Sequence, residues 1–231
     1  MKKSKLLYAS MSRTEKILGT IWLILQLLLP YVMHWLNGLL TSPMDPGNLT
    51  FVTYLVNFLF TVCIFGHFLR DSLVAAWRDL WNFVQAVILG FVAHWACSRV
   101  LDWALSYLIP GYNPIADASI SALSGANHYL RIIGIVILAP VIEETLYRGL
   151  IFRNIWRRSR VAAYIVSMVI FSAIHVLGYI GTADITTMVL CFVRYLPAGL
   201  CLAWTYSKAD NVFAPVIVHA VINAITIGIV K

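Results

Sequence analysis

Apolar residues in this chain fall into long runs parted by short polar breaks. A helix rising 1.5 Å per residue needs about 20 of them to cross ~30 Å of hydrocarbon. Seven runs reach that length, at 17–40, 51–69, 83–107, 129–152, 161–180, 186–206 and 212–230. The pattern predicts an all-α fold, a polytopic transmembrane helix bundle of about seven spans. The first run is longer than the apolar part of a cleavable signal, and Trp35-Leu36-Asn37-Gly38 offers no small-residue cleavage site, so it is expected to remain as a span. Cations gather in alternate breaks: Lys2, Lys3, Lys5, Arg13 and Lys16 before the first run, Arg70 and Arg78 after the second, Arg153, Arg157, Arg158 and Arg160 after the fourth, and Lys208 after the sixth. The breaks 41–50, 108–128 and 181–185 hold no Lys or Arg. Because Lys and Arg stay on the cytoplasmic side, the N-terminus is expected in the cytoplasm and Lys231 outside. The one long polar stretch, 108–128, is expected to cap the outer face or to re-enter it.

Composition agrees with that reading and removes others. Of 231 residues, 61% are hydrophobic and 12% charged, whereas about a quarter of an ordinary soluble domain is charged. Disorder is excluded because its signature is low hydrophobicity. The net charge of +7 would suggest nucleic acid in a soluble protein. Here the charges sit between apolar runs, so they act as a topology signal and attract anionic lipid headgroups; no nucleic acid is implied. One membrane domain is expected over 1–231, with N-terminal spans and the outer polar segment in 1–128. Cys63, Cys97, Cys191 and Cys201 all fall within apolar runs without CxxC spacing. They read as small apolar residues rather than disulfide or zinc ligands.

A charge at a span's centre costs roughly 2.5–3.5 kcal/mol, so ionisable residues there need a partner or a wet cavity. Three runs carry such groups at helical spacing. The fourth ends Ala139-Pro140-Val141-Ile142-Glu143-Glu144-Thr145-Leu146-Tyr147-Arg148, with two of the chain's three glutamates adjacent. Glu144 and Arg148, four apart, share a helical face and can pair. Glu143 is rotated by about 100° from Glu144 and is left as a base. Pro140 removes one backbone hydrogen bond and permits a kink. In the fifth run Phe171 and His175 share a face, and in the seventh His219 and Asn223 do. That last pair can present two donors to one oxygen, as an oxyanion site requires. Measured from the cytoplasmic ends at ~1.5 Å per residue, Glu143, His219 and Asn223 lie at ~13, ~10 and ~16 Å, with His175 deeper at ~21 Å. Polar groups in spans often only glue helices together, at about 0.6 kcal/mol per contact. Glue accounts for one pair, but not for an unpaired second glutamate, two histidines and an asparagine on three spans at converging depths.

Glu143-Glu144-x-x-x-Arg148, Phe171-x-x-x-His175 and His219-x-x-x-Asn223, in that order on separate spans, resemble the motif set of the CAAX-protease and bacteriocin-processing (CPBP, or Abi) family of intramembrane proteases. The resemblance covers residues 129–230, which would be the catalytic core. It implies that Glu143 and His175 activate water, that His219 and Asn223 stabilise the oxyanion on the scissile carbonyl, and that Glu144, Arg148 and Phe171 support them. Both metal-dependent and metal-free glutamate mechanisms stay open. With no H-E-x-x-H in the sequence, a zinc site would need Glu143, His175 and His219 from three spans. Neither G-x-S-x-G nor a pair of aspartates set in spans is found, which leaves attack by activated water. The implied enzyme is a hydrolase, an intramembrane peptidase acting on a hydrophobic peptide or protein C-terminus, in a bacterial plasma membrane. Prenylated substrates are not expected there.

Two other readings use the same residues. A non-catalytic immunity or scaffold protein of this fold would tolerate Glu143→Gln. A small proton-coupled transporter would also place acids and histidines in spans, but no inverted repeat accompanies them. Among the other intramembrane groups, His34, His67 and His94 read as isolated, and Arg99 and Asp102 as a local pair at i, i+3. Arg194 is left to neutralise a fourth-span carboxylate or to line the outer mouth.

Overall fold

The computed structural model describes residues 9–109, 112 and 127–228. Every regular element among them is helical: α1 (Arg13–Leu25), α2 (Leu29–Gly38), α3 (Pro46–Arg78), α4 (Leu80–Leu108), α5 (His128–Ile132), π1 (Ile133–Leu138), α6 (Ala139–Glu144), π2 (Thr145–Phe152), α7 (Arg153–Trp156), α8 (Arg160–Leu177), α9 (Ile185–Ala209) and α10 (Phe213–Thr226). The chain is an integral membrane protein with an all-α helical bundle. Four helices, α3, α4, α8 and α9, are long and apolar enough to cross a membrane, and the pair α1 and α2, bent by 58°, makes a fifth if taken as one span. The fourth predicted run falls on the unbroken helical stretch from α5 to α7, where two π segments interrupt the α geometry. The seventh falls on α10, which has 14 residues. The predicted polar segment 108–128 lies largely outside the described residues.

The predicted break after the second run is mostly helix. α3 continues through Arg70 to Arg78, and the single residue Asp79 separates it from α4. At 33 residues α3 is roughly 50 Å long, so it overshoots the hydrocarbon. It bends at Phe65, whose φ of −104° and ψ of 16° leave the helical region. The third glutamate, Glu15, services that bend. Its Oε1 accepts from the Phe68 backbone N–H at 2.8 Å, and its Oε2 from the Ser12 N–H at 2.7 Å, closing a capping box at the start of α1.

The core sits around π2, α8 and α9, with Leu146, Leu202, Phe171 and Tyr206 all nearly or fully inaccessible. α9 packs along α8 on one side and α4 on the other, and α10 lies against α4, α6 and π1. Close approach depends on missing side chains. A Cβ on Gly90 of α4 would run into Thr205 of α9, and one on Gly199 of α9 would stand 3.0 Å from the Met168 Cα in α8. Large apolar residues such as Trp77, Trp81, Trp95 and Trp103 point outward, as lipid-facing surfaces do. The four cysteines are free thiols; Cys191 and Cys201 are buried, while Cys63 and Cys97 are exposed.

Candidate active site

Pro140 shapes the backbone on which the site is built. In π1 the Ala139 N–H reaches back five residues to the Gly134 carbonyl, and Pro140 has no N–H to offer. The Ile135 carbonyl is therefore left without a helical donor. Asn223 of α10 supplies one, its Nδ2 donating to Ile135 O at 2.8 Å. A side chain expected to serve the oxyanion thus spends one donor on clamping α10 to π1, with a second N–H still on the same nitrogen.

Glu144 and Arg148 form the predicted ion pair, 3.0 Å between Oε1 and Nη1, with both side chains inaccessible. Burying two ions is costly, and further contacts offset part of that cost, although Glu144 Oε2 and Arg148 Nε make no hydrogen bond among the described residues. Arg148 Nη2 donates to Gly199 O at 3.1 Å, and its guanidinium lies 4.3 Å from the Phe171 ring centroid. The missing Cβ of Gly199 is what lets α9 lie close enough to α8 to complete this core. The same Glu144 Oε1 also receives His219 Nδ1 at 2.9 Å, so one carboxylate organises two motifs.

Hydrogen bonding fixes the tautomers of both histidines. His175 Nδ1 lies 2.8 Å from the Phe171 carbonyl, which can only accept, so Nδ1 carries the proton. His219 Nδ1 donates to Glu144 by the same reasoning. In each neutral ring the bare nitrogen is then Nε2, and both face Glu143. Glu143 Oε2 is 3.6 Å from His175 Nε2 and 4.0 Å from His219 Nε2, and it is buried without a hydrogen bond within the protein. Three electron-pair donors converge on one point, their atoms all within 4.8 Å of one another. Such a set repels itself unless a proton, a water or a cation lies between. The 3.6 Å separation is too long for a direct hydrogen bond.

Aromatic rings hold these groups in place. His175 lies between Phe171 and Tyr195, with centroids 4.3 and 4.2 Å away, and Phe171 also meets His219 edge-on at 5.7 Å. Tyr195 was not singled out in the sequence because it stands in a run with no motif. His94, expected to be isolated, bonds to Ser98 at 3.2 Å and lines a cavity of about 250 Å³ together with His175, His219 and Asn223. Glu143 is not part of that wall. Arg194, for which the sequence leaves two roles open, is among the residues lining that cavity. Its Nε lies 3.3 Å from Asp102 Oδ1, so Asp102 pairs with a cation from α9, while Glu144 of the fourth run pairs with Arg148 and His219. His67 pairs with Asp71 at 3.5 Å on an exposed face.

Residues 125–225 match the family of Type II CAAX prenyl endopeptidase Rce1-like proteins. The match covers 101 of the 231 residues, under half of the chain, and is a likeness of its C-terminal part. All three motifs fall inside the matched residues, while His94, Arg99 and Asp102 lie outside them. The UPF0177 protein YxdF of Lactococcus lactis subsp. lactis (strain IL1403) is 30% identical over 92 residues, covering 40% of this chain and 44% of the relative. The chain thus spans less than half the length of the curated relative it matches. No solved structure matches it.

Proposed function

We propose that the chain is an intramembrane endopeptidase that hydrolyses a hydrophobic or membrane-associated peptide, entering from the cytoplasmic side of a bacterial plasma membrane. The observation that carries this reading is the convergence of Glu143 Oε2 with two bare Nε2 atoms at 3.6 and 4.0 Å. A water placed there donates one hydrogen to Glu143 and the other to His175 Nε2, leaving a lone pair free for a scissile carbonyl. As its oxygen bonds to the carbonyl carbon, Glu143 takes the proton and later returns it to the departing amine when the C–N bond breaks. The second N–H of Asn223 is available to the oxyanion. His219 donates from Nε2 only as the imidazolium, with Glu144 facing its Nδ1.

The same three atoms fit a divalent cation such as zinc. Tetrahedral zinc holds its ligands about 3.4 Å apart, somewhat closer than the 3.6 and 4.0 Å here, and an imidazole anchored through Nδ1–H to a carboxylate or carbonyl is the usual arrangement around it. When bound, such an ion would supply Lewis acidity to the water. In either version Glu143, His175 and His219 are indispensable. Purified protein in lipid should cleave a fluorogenic membrane peptide, with Glu143→Ala, His175→Ala and His219→Ala each abolishing turnover. A chelator series in the same assay separates the two versions. Folded wild-type protein that cleaves no peptide, or a Glu143→Ala variant that retains turnover, would overturn the proposal.

A further inference from the structure

The cavity that touches His175 and His219 continues along α4 to three charged side chains the reaction does not use. His94, Ser98 and Asp102, four apart, follow one face of α4 along its wall, and Arg99 and Arg194 line it beside Asp102. From His94 to Asp102 the helix rises ~12 Å, the reach of a few residues of extended chain at about 3.3 Å each. Charges in apolar helices are costly and mark pathways or binding sites, and here three collect at one end of one cavity.

Their signs do not cancel. Asp102 balances Arg194 at 3.3 Å, each side chain 27% exposed, and Tyr112 Oη adds a 3.4 Å contact to the same carboxylate oxygen. Asp102 is the only acid among the described residues lining the cavity, so among them Arg99 leaves an excess of one positive charge. Its planar fork suits a carboxylate, which it can hold through two parallel hydrogen bonds. We infer that this end of the cavity is a subsite for an anionic group on the substrate peptide, held by Arg99 beside the Asp102–Arg194 pair. The inference rests on the peptidase reading for the word substrate, but not for the binding itself. A chain terminus and an acidic side chain offer the same carboxylate chemistry.

The test uses the full chain carrying Glu143→Gln, in phosphatidylcholine nanodiscs, and three fluorescent decapeptides of one hydrophobic sequence. One ends in a free carboxylate, one in an amide, and one in an amide preceded by Glu. Fluorescence anisotropy should show at least one anionic peptide binding about tenfold tighter than the neutral amide. The tighter of the two anionic peptides identifies the source. Adding Arg99→Gln should reduce the preference to about one, and Asp102→Asn, which removes the one acid among the described lining residues, should raise it. Equal binding of all three peptides, a preference that survives Arg99→Gln, or one that falls with Asp102→Asn would overturn the subsite. A preference lost when anionic lipid replaces phosphatidylcholine would also overturn it, by assigning Arg99 to headgroups. Parallel turnover with the Glu143 protein separates the two claims. Cleavage without preference removes only the subsite, and preference without cleavage removes only the peptidase.

Discussion

Replacing Glu144 by Gln tests the buried centre most directly, because shape and one acceptor oxygen persist while the charge is removed. In the wild type Glu144 Oε1 receives both Arg148 Nη1 at 3.0 Å and His219 Nδ1 at 2.9 Å. The variant leaves the Arg148 guanidinium inaccessible to solvent, with only the Gly199 carbonyl and the Phe171 ring as fixed partners. Breaking a buried pair by removing one ion costs about 3–5 kcal/mol, and the amide oxygen recovers about 1 kcal/mol as a neutral acceptor. The expected loss is therefore about 2–4 kcal/mol. Reversible unfolding in mixed micelles, followed by tryptophan fluorescence, measures it. The double variant Glu144→Gln/Arg148→Met buries no unpaired charge and should be more stable than the sum of the single effects by about 0.5–3 kcal/mol. A loss below about 1 kcal/mol for Glu144→Gln, or strict additivity in the cycle, would refute the account of this pair as the organiser of two motifs.

Other perturbations read other parts of the site. Glu143→Gln should keep the fold, since Oε2 makes no hydrogen bond within the protein, yet lower turnover by about 10²–10⁴-fold, as measured by peptide cleavage alongside unfolding. Asn223→Ala leaves the Ile135 carbonyl without its donor and should cost about 1–3 kcal/mol of stability in the same unfolding assay. Gly199→Ala drives a methyl towards the Met168 backbone, separating α9 from α8 at a cost of about 1–3 kcal/mol. If a cation is held by Glu143, His175 and His219, removing it with a chelator should lower the unfolding midpoint, and restoring it at 100 times its dissociation constant should return about 2.7 kcal/mol.

Charge within apolar sequence made much of this site legible. Glu143, Glu144, Arg148, His175 and His219 stand out because each is costly where it lies, and helical spacing correctly paired Glu144 with Arg148 and Phe171 with His175. Spacing cannot report which helix lies opposite, so Asp102 was assigned to Arg99 on its own helix while its partner came from α9. Tyr195 and His94 were missed for the same reason, since they join the site only through packing between helices. The π segments had one visible sign, Pro140, which indicates a missing donor but not that a side chain 83 residues later, Asn223, would replace it. Long apolar runs located the helices well, whereas their ends shifted where amphipathic turns prolonged α3 beyond the hydrocarbon.

The contact between Glu15 and the Phe68 amide bears on how the protein is made. Synthesis delivers α1 first, with an acidic group whose second, distant partner has not yet left the ribosome. Until the bend of α3 emerges, 53 residues later, Glu15 Oε1 has only the capping box beside it, and the opened turn has no acceptor. A single side chain near the start of synthesis thus ties the first helix to the bend of the third, and Glu15→Ala would be expected to leave the Phe68 amide without its acceptor.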